Sequence, residues 1–331
     1  MNILHSFGRL MAARNRKALL LKFAVAAVLI GLLVQYASPS NIALAIRSAN
    51  PWLLLAVVPM ILLSMWLAAV QLKVLTDCHG MNLSLMRIIG INASTEFYNL
   101  FLPGVIAGGV IRWYRLSKEN KMRAQAFAVI AMNRLLNLIT LTGLGILGWL
   151  LEDTSAATPF AIVVLTVSLL ALAGGLFALS NQQLSNAVHR DSVDGSKMRT
   201  VVRDGLLKLR DAVYEYRQIP VSGRMQLVFF AVSWQLVMIL STYMFCLALS
   251  ISVSLSALAW IRALVTLVLL VPVTISGFGL REVSWVYFLG LYGVAPAEAL
   301  VLSLLTFARS LFQAVIGCGL EVRVHFHTGN T

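Results

Sequence analysis

Four arginines, Arg112, Arg134, Arg281 and Arg309, lie in or beside stretches that otherwise read as membrane-embedded. A cation at the centre of a bilayer costs at least ~2.5 kcal/mol on insertion scales, so it should face a polar interior or an anion. Two acids, Glu96 and Glu282, share those stretches. They offer internal ion pairs, but four cations outnumber two carboxylates. The surplus charge suits a phosphate-bearing ligand, because a guanidinium presents a planar fork of donors to phosphate oxygens. Gly-rich breaks precede two of the arginines, Leu102-Pro103-Gly104-Val105-Ile106-Ala107-Gly108-Gly109 and Ser276-Gly277-Phe278-Gly279. Broken backbone at membrane depth survives only when buried in protein or lining a wet cavity, and its freed N–H groups can hold anions. The expected substrate-binding set is therefore Arg112, Arg134, Arg281, Arg309, Glu96, Glu282, Gly104 and Gly279.

No toolkit for covalent chemistry stands beside these residues. His5, His79, His189, His325 and His327 are expected in loops or tails, and His325-x-His327 reads as incidental. The thirteen acids form no DxD or paired-carboxylate arrangement, and no Walker lysine offers direct ATP coupling. Cys78, Cys246 and Cys318 are scattered without metal spacing. The expectation is no enzyme, no metal and no cofactor.

The elements that position the arginines follow from composition. The 331 residues are 59% hydrophobic and 12% charged, against roughly 25% charged in a soluble domain. The fold class is all-α, a single polytopic membrane domain over residues 1–331. The net charge of +13 reads as basic flanks of spans and not as nucleic-acid binding. Apolar runs at 19–36, 51–72, 124–150, 158–180, 225–249 and 297–320 are each long enough to cross. The first, after the basic Arg9 to Lys17, reads as a retained helix and not as a cleaved signal. Stretches 87–117 and 257–295 are apolar but interrupted.

Excess Lys and Arg mark the cytoplasmic side. They place both termini, Lys73, Lys118 and the strongly basic loop 181–224 inside, and Glu152 and Asp153 outside. Stretch 87–117 then begins and ends inside, and 257–295 begins and ends outside. Six spans with two re-entrant hairpins in inverted arrangement result, a plan that builds midplane sites in transporters. Threading both stretches as full spans gives eight crossings and puts Arg115 to Arg123 outside, against the charge rule. In loop 181–224, Val202, Leu206, Leu209, Val213 and Tyr216 recur at helical spacing among basic residues. That pattern fits an amphipathic helix on the cytoplasmic leaflet or a solvated helix on the bundle ends. Gly143, Gly145 and Gly148 read as a small-residue packing stripe.

These motifs resemble a known family. Phe97 to Gly104, with Gly108 and Arg112, resembles the LPGxxGGDxxR signature of flippase-like proteins related to the membrane region of lysylphosphatidylglycerol synthase. Asn133-Arg134 falls where that family has Asp-Arg, and Gly277 to Glu282 matches its GxGxRE block. Gly290, Gly293, Leu302 and Arg309 follow in family style. The resemblance implies a protein of bacterial-type inner membrane that moves lipid or lipid-linked headgroups between leaflets. It does not imply synthesis, because the synthases carry a soluble transferase unit and this sequence stops about ten residues past its last expected helix. Gly109 and Asn133 replace two family aspartates, which leaves the site more cationic. The expected partner is a membrane lipid with an anionic headgroup. The alternative is a non-transporting subunit that presents lipid to a glycosyltransferase or other lipid-modifying enzyme. A membrane-embedded transferase is disfavoured by the missing acidic or nucleophilic constellation.

Overall fold

A computed structural model describes residues 16–101, 107–120, 122–152, 159–180, 216, 219–271 and 277–328. Among them the chain is helical throughout. The helices are α1 (Arg16–Ala37), α2 (Pro39–Ser48), α3 (Pro51–Cys78), α4 (Leu85–Phe101), α5 (Ala107–Asn120), α6 (Arg123–Leu150), α7 (Pro159–Ser180), α8 (Val221–Ala248), α9 (Leu255–Leu269), α10 (Leu280–Gly290) and α11 (Pro296–Thr328). The six apolar runs expected to span all fall on helices. Four helices are long and apolar enough to cross a bilayer, Pro51–Cys78, Arg123–Leu150, Val221–Ala248 and Pro296–Gly317. The bent pair Ala24–Ala37 and Pro39–Ser48 gives up to five.

Local chemistry sets the helix ends. Asn50 accepts from the Trp52 N–H at 3.0 Å, with Pro51 in the first turn of α3 where its missing donor is not needed. Ser254 caps α9 by accepting from the Ala257 N–H at 3.0 Å. The chain turns through 77° between α1 and α2, at Ser38 with φ 62°. Proline at 39 removes the donor that would continue α1 and starts α2 instead. The separate helix α2 was not expected from the sequence. Helix α11 also runs past 320 to Thr328, so His325 and His327 lie on a helix and not in a tail, while His79 caps the end of α3.

Among the described residues the two larger hydrophobic cores occupy the two ends of the bundle, and a smaller third cluster, Leu33, Ala37, Ala297 and Leu300, joins α1 to α11. One of the larger two gathers Leu72, Leu75, Met81, Ile88, Leu116, Val129, Leu136 and Leu227. The other gathers Ile61, Leu141, Ile239, Phe245, Trp260, Leu289 and Leu302. Ile88, near the start of α4, and Leu116, near the end of α5, belong to the same core. These two helices pack together. Helices α9 and α10 also pack together, and both belong to the other larger core. At about 1.5 Å per residue, α4 and α5 are ~25 and ~21 Å long, short of the ~30 Å hydrocarbon core.

Close backbone contacts hold the bundle. A Cβ on Gly317 of α11 would strike the Ala93 backbone of α4, and one on Gly148 of α6 would lie 2.5 Å from the Ser256 carbonyl of α9. Gly145 packs in the same way against Ala263, but Gly143 has open space beside it and is not part of the stripe. At one end Glu152 accepts from Ser254 at 2.6 Å and Ser256 at 2.7 Å, joining the end of α6 to the start of α9. Residues 181–215, which carry most of the expected amphipathic helix, and the turn at Gly104 lie outside the described residues.

Candidate functional site

Polar side chains form a belt along the middle of the long helices, at and beside the boundary between the two larger cores. On α6 the boundary is Asn137, between Leu136 of one core and Leu141 of the other. Gln71 of α3 donates to the Asn137 side chain at 3.2 Å, and Gln235 of α8 donates to its backbone carbonyl at 2.8 Å. Gln235 in turn accepts from Arg262 of α9 at 2.7 Å. Farther along α8, Ser241 accepts from Arg309 of α11 at 3.2 Å. Gln313 donates to Ser64 of α3 at 3.3 Å. In lipid, polar groups of this kind must find partners inside the protein, and here three separate sets of hydrogen bonds tie together five helices.

Beside this belt the structure sorts the expected site residues into two groups. Arg281 and Glu282 satisfy each other. Arg281 donates to Glu282 Oε1 from Nε at 3.0 Å and from Nη2 at 2.5 Å. Its guanidinium also stands 5.4 Å from the Phe278 ring centre and 5.0 Å from that of Phe307. Glu282 is 2% exposed, and its other oxygen accepts from the Gly279 N–H at 2.6 Å. Ser303 donates to Oε1 at 3.4 Å. Gly279 has φ 81°, and a Cβ there would lie 2.9 Å from that of Leu29, so the turn brings α10 hard against α1. The GxGxRE block is therefore a self-contained corner: glycines make the turn, the glutamate caps the helix, and the arginine neutralises the glutamate.

Arg112 and Arg309 are placed differently. Their Nε atoms are buried without a hydrogen-bond partner among the described residues. Among the described residues Arg309 has Ser241 as its hydrogen-bond acceptor, and Arg112 has none. A single carboxylate, Glu96 on α4, attracts both. Its recorded hydrogen bond is from Asn99 at 3.5 Å. Arg134 lies close enough to repel Arg112 but is exposed on its helix. Arg309 similarly feels Arg281 and bears on Arg262. Glu96 is thus within electrostatic reach of both Arg112 and Arg309, and Arg309 of Arg281, where α4 packs on α5 and on α11 and α10 packs on α11.

Arg262 was missed in the sequence. It is 8% exposed, stands 5.9 Å from the Trp234 ring centre, and has no carboxylate partner among the described residues. Its signal was present, a lone cation inside the apolar run Leu255–Leu269. Among the described residues no three His, Cys, Asp or Glu side chains cluster as metal ligands. The arrangement can bind and neutralise an anion at mid-membrane depth.

The family model described as the lysylphosphatidylglycerol synthase TM region matches residues 19–317. No curated protein and no solved structure matches the chain.

Proposed function

The chain belongs to the lysylphosphatidylglycerol synthase transmembrane-region family, and from that premise we propose that it moves an anionic, phosphate-linked lipid between the leaflets of a bacterial-type inner membrane. The observation that carries the reading is the pair of buried, incompletely bonded guanidiniums, Arg112 and Arg309, which share the single carboxylate Glu96. An uncompensated buried charge costs several kcal/mol, so such a pair supports the presence of a further anion. The headgroup enters between the α4–α5 and α9–α10 pairs, which act as re-entrant hairpins from the cytoplasmic and outer faces, while the lipid tails stay in the bilayer. The Arg281–Glu282 corner holds the break open at its α10 side. Both termini face the cytoplasm in this arrangement.

The test is reconstitution of the purified chain in vesicles with a fluorescent anionic lipid in one leaflet. Transbilayer movement of that lipid, faster than that of a zwitterionic analogue and lost in Arg309→Ala, is the expected result. Equal movement in protein-free vesicles, or wild-type rates in a folded Arg309→Ala protein, would remove this reading.

A further inference from the structure

Arg262 is surplus to the arginines that the reading above uses, and its surroundings do not explain its charge. Its partner Gln235 is neutral, and Trp234 supplies only a ring face. Gln235 is itself fixed by its bond to the Asn137 carbonyl, which holds the acceptor in place for Arg262. The charge nearest in effect to Arg262 is another cation, Arg309. Both are held from the same helix, at Gln235 and Ser241, about 9 Å apart along α8 at about 1.5 Å per residue. The Arg281–Glu282 corner is neutral as a unit, and Arg134 is exposed. Arg112 and Arg309 share one carboxylate, Glu96, and Arg262 has no carboxylate partner among the described residues, so these three cations carry two positive charges more than the one acid beside them. A phosphodiester headgroup carries a single negative charge and leaves one of the two unmatched. A phosphate monoester carries about −1.5 to −2 at neutral pH, and a diphosphate carries more.

We propose that Arg262 and Arg309 form a second anion subsite beside Arg112, so that the protein takes a lipid ending in a phosphate monoester or diphosphate in preference to a phosphodiester. This inference rests on the transport reading for its substrate, but charge preference in binding tests it separately from movement. In the bound state the multiply charged headgroup lies between Arg262 and Arg309 and relieves their mutual repulsion. The remaining donors of Arg262, not used by Gln235, bond to its oxygens.

The experiment is a charge series on one tail. Farnesyl diphosphate, farnesyl phosphate and the methyl ester of farnesyl phosphate are titrated against the purified full chain in detergent by calorimetry. The wild-type protein should bind the first two at least about tenfold more tightly than the ester, the effect of one charge-assisted hydrogen bond. Arg262→Gln should reduce that preference about tenfold and leave ester binding within about twofold. Arg262→Lys, which keeps the charge but loses the fork, should retain part of the preference. Stronger binding of the diphosphate than of the monophosphate would identify two linked phosphates as the better occupant. Equal binding of all three by the wild-type protein overturns the subsite whatever the variants do, and so does an unchanged preference in folded Arg262→Gln. Charge-selective binding by a protein that moves no lipid in vesicles would overturn the transport reading and leave the subsite standing. No binding of any member would overturn the subsite and remove the anion site beneath it.

Discussion

Arg281 and Arg309 differ less in burial than in what already bonds to them. Arg281 has a carboxylate, two aromatic faces and a place in a helix cap, and so belongs to the architecture. Arg309 has one hydroxyl and a shared carboxylate, and so is available to a ligand. The two should fail differently. Arg281→Ala leaves Glu282 buried without its cation, which should cost about 3–5 kcal/mol before protonation relieves it, measured as a lower unfolding temperature and lower folded yield. Arg309→Ala should keep a near-wild-type unfolding temperature and lose transport. Arg309→Lys should fold and transport at least about tenfold more slowly, because the ammonium keeps the charge but not the bidentate grip. A destabilised Arg309→Ala protein with normal transport per folded molecule would exchange the two roles. The sequence identified these residues by type and depth, but not which arginine the glutamates serve. Pairing is a matter of rotamers across helices, and Arg281–Glu282 are adjacent in sequence while Arg112 and Arg309 meet Glu96 from separate elements.

The six apolar runs were legible because a membrane span must be long, apolar and helical to satisfy its own backbone. The breaks were legible as Gly-rich interruptions, and Gly277 and Gly279 adopt the positive φ that such turns need. Less legible was the 77° bend at Ser38, although Pro39 marked it. Arg262 was not legible as a site residue, because no Gly-rich break precedes it and its partner Gln235 comes from a distant helix. Gly143, Gly145 and Gly148 look equivalent in sequence, yet only the latter two meet a neighbour, since which side of α6 faces α9 is set by tertiary packing. Substitution tests this level. Gly279→Leu should abolish folded yield, because the residue needs φ 81° and its side chain would enter Leu29. Gly317→Leu should do the same by forcing α11 away from the Ala93 backbone, whereas Gly143→Ala should be tolerated. Loss of fold in Gly143→Ala, seen as aggregation on size-exclusion chromatography, would show that the face beside it is occupied.

At the scale of the whole molecule, the two larger hydrophobic cores stand at opposite ends, with a polar belt at and beside their boundary. Lys73 and Lys118 flank helices whose ends share one core, Leu75 with Leu116, and Glu152 bonds to Ser254 at the other end. In a background with Cys78, Cys246 and Cys318 replaced, single cysteines near Lys73 and Lys118 should be labelled from one side of the membrane. Cysteines near Glu152 and Ser252 should be labelled from the opposite side. Opposite labelling of the Lys73 and Lys118 sites would mean that α4 and α5 cross the membrane and do not return.

The belt also sets an order of events during synthesis. Ser64 and Gln313 are 249 residues apart in the chain, and Gln71 and Asn137 are 66 apart. At ~5–20 residues per second, the first of these partners waits some ~12–50 seconds for the second to leave the ribosome. For that interval Ser64, whose hydroxyl donates to the Ile61 carbonyl, lacks the Gln313 amide that later bonds to it, and Gln71 lacks Asn137 for the first ~3–13 seconds. The nascent helix must therefore be sheltered beside the insertion channel or by a chaperone until α11 arrives. A ribosome stalled before Gln313 should leave α3 crosslinkable to that machinery.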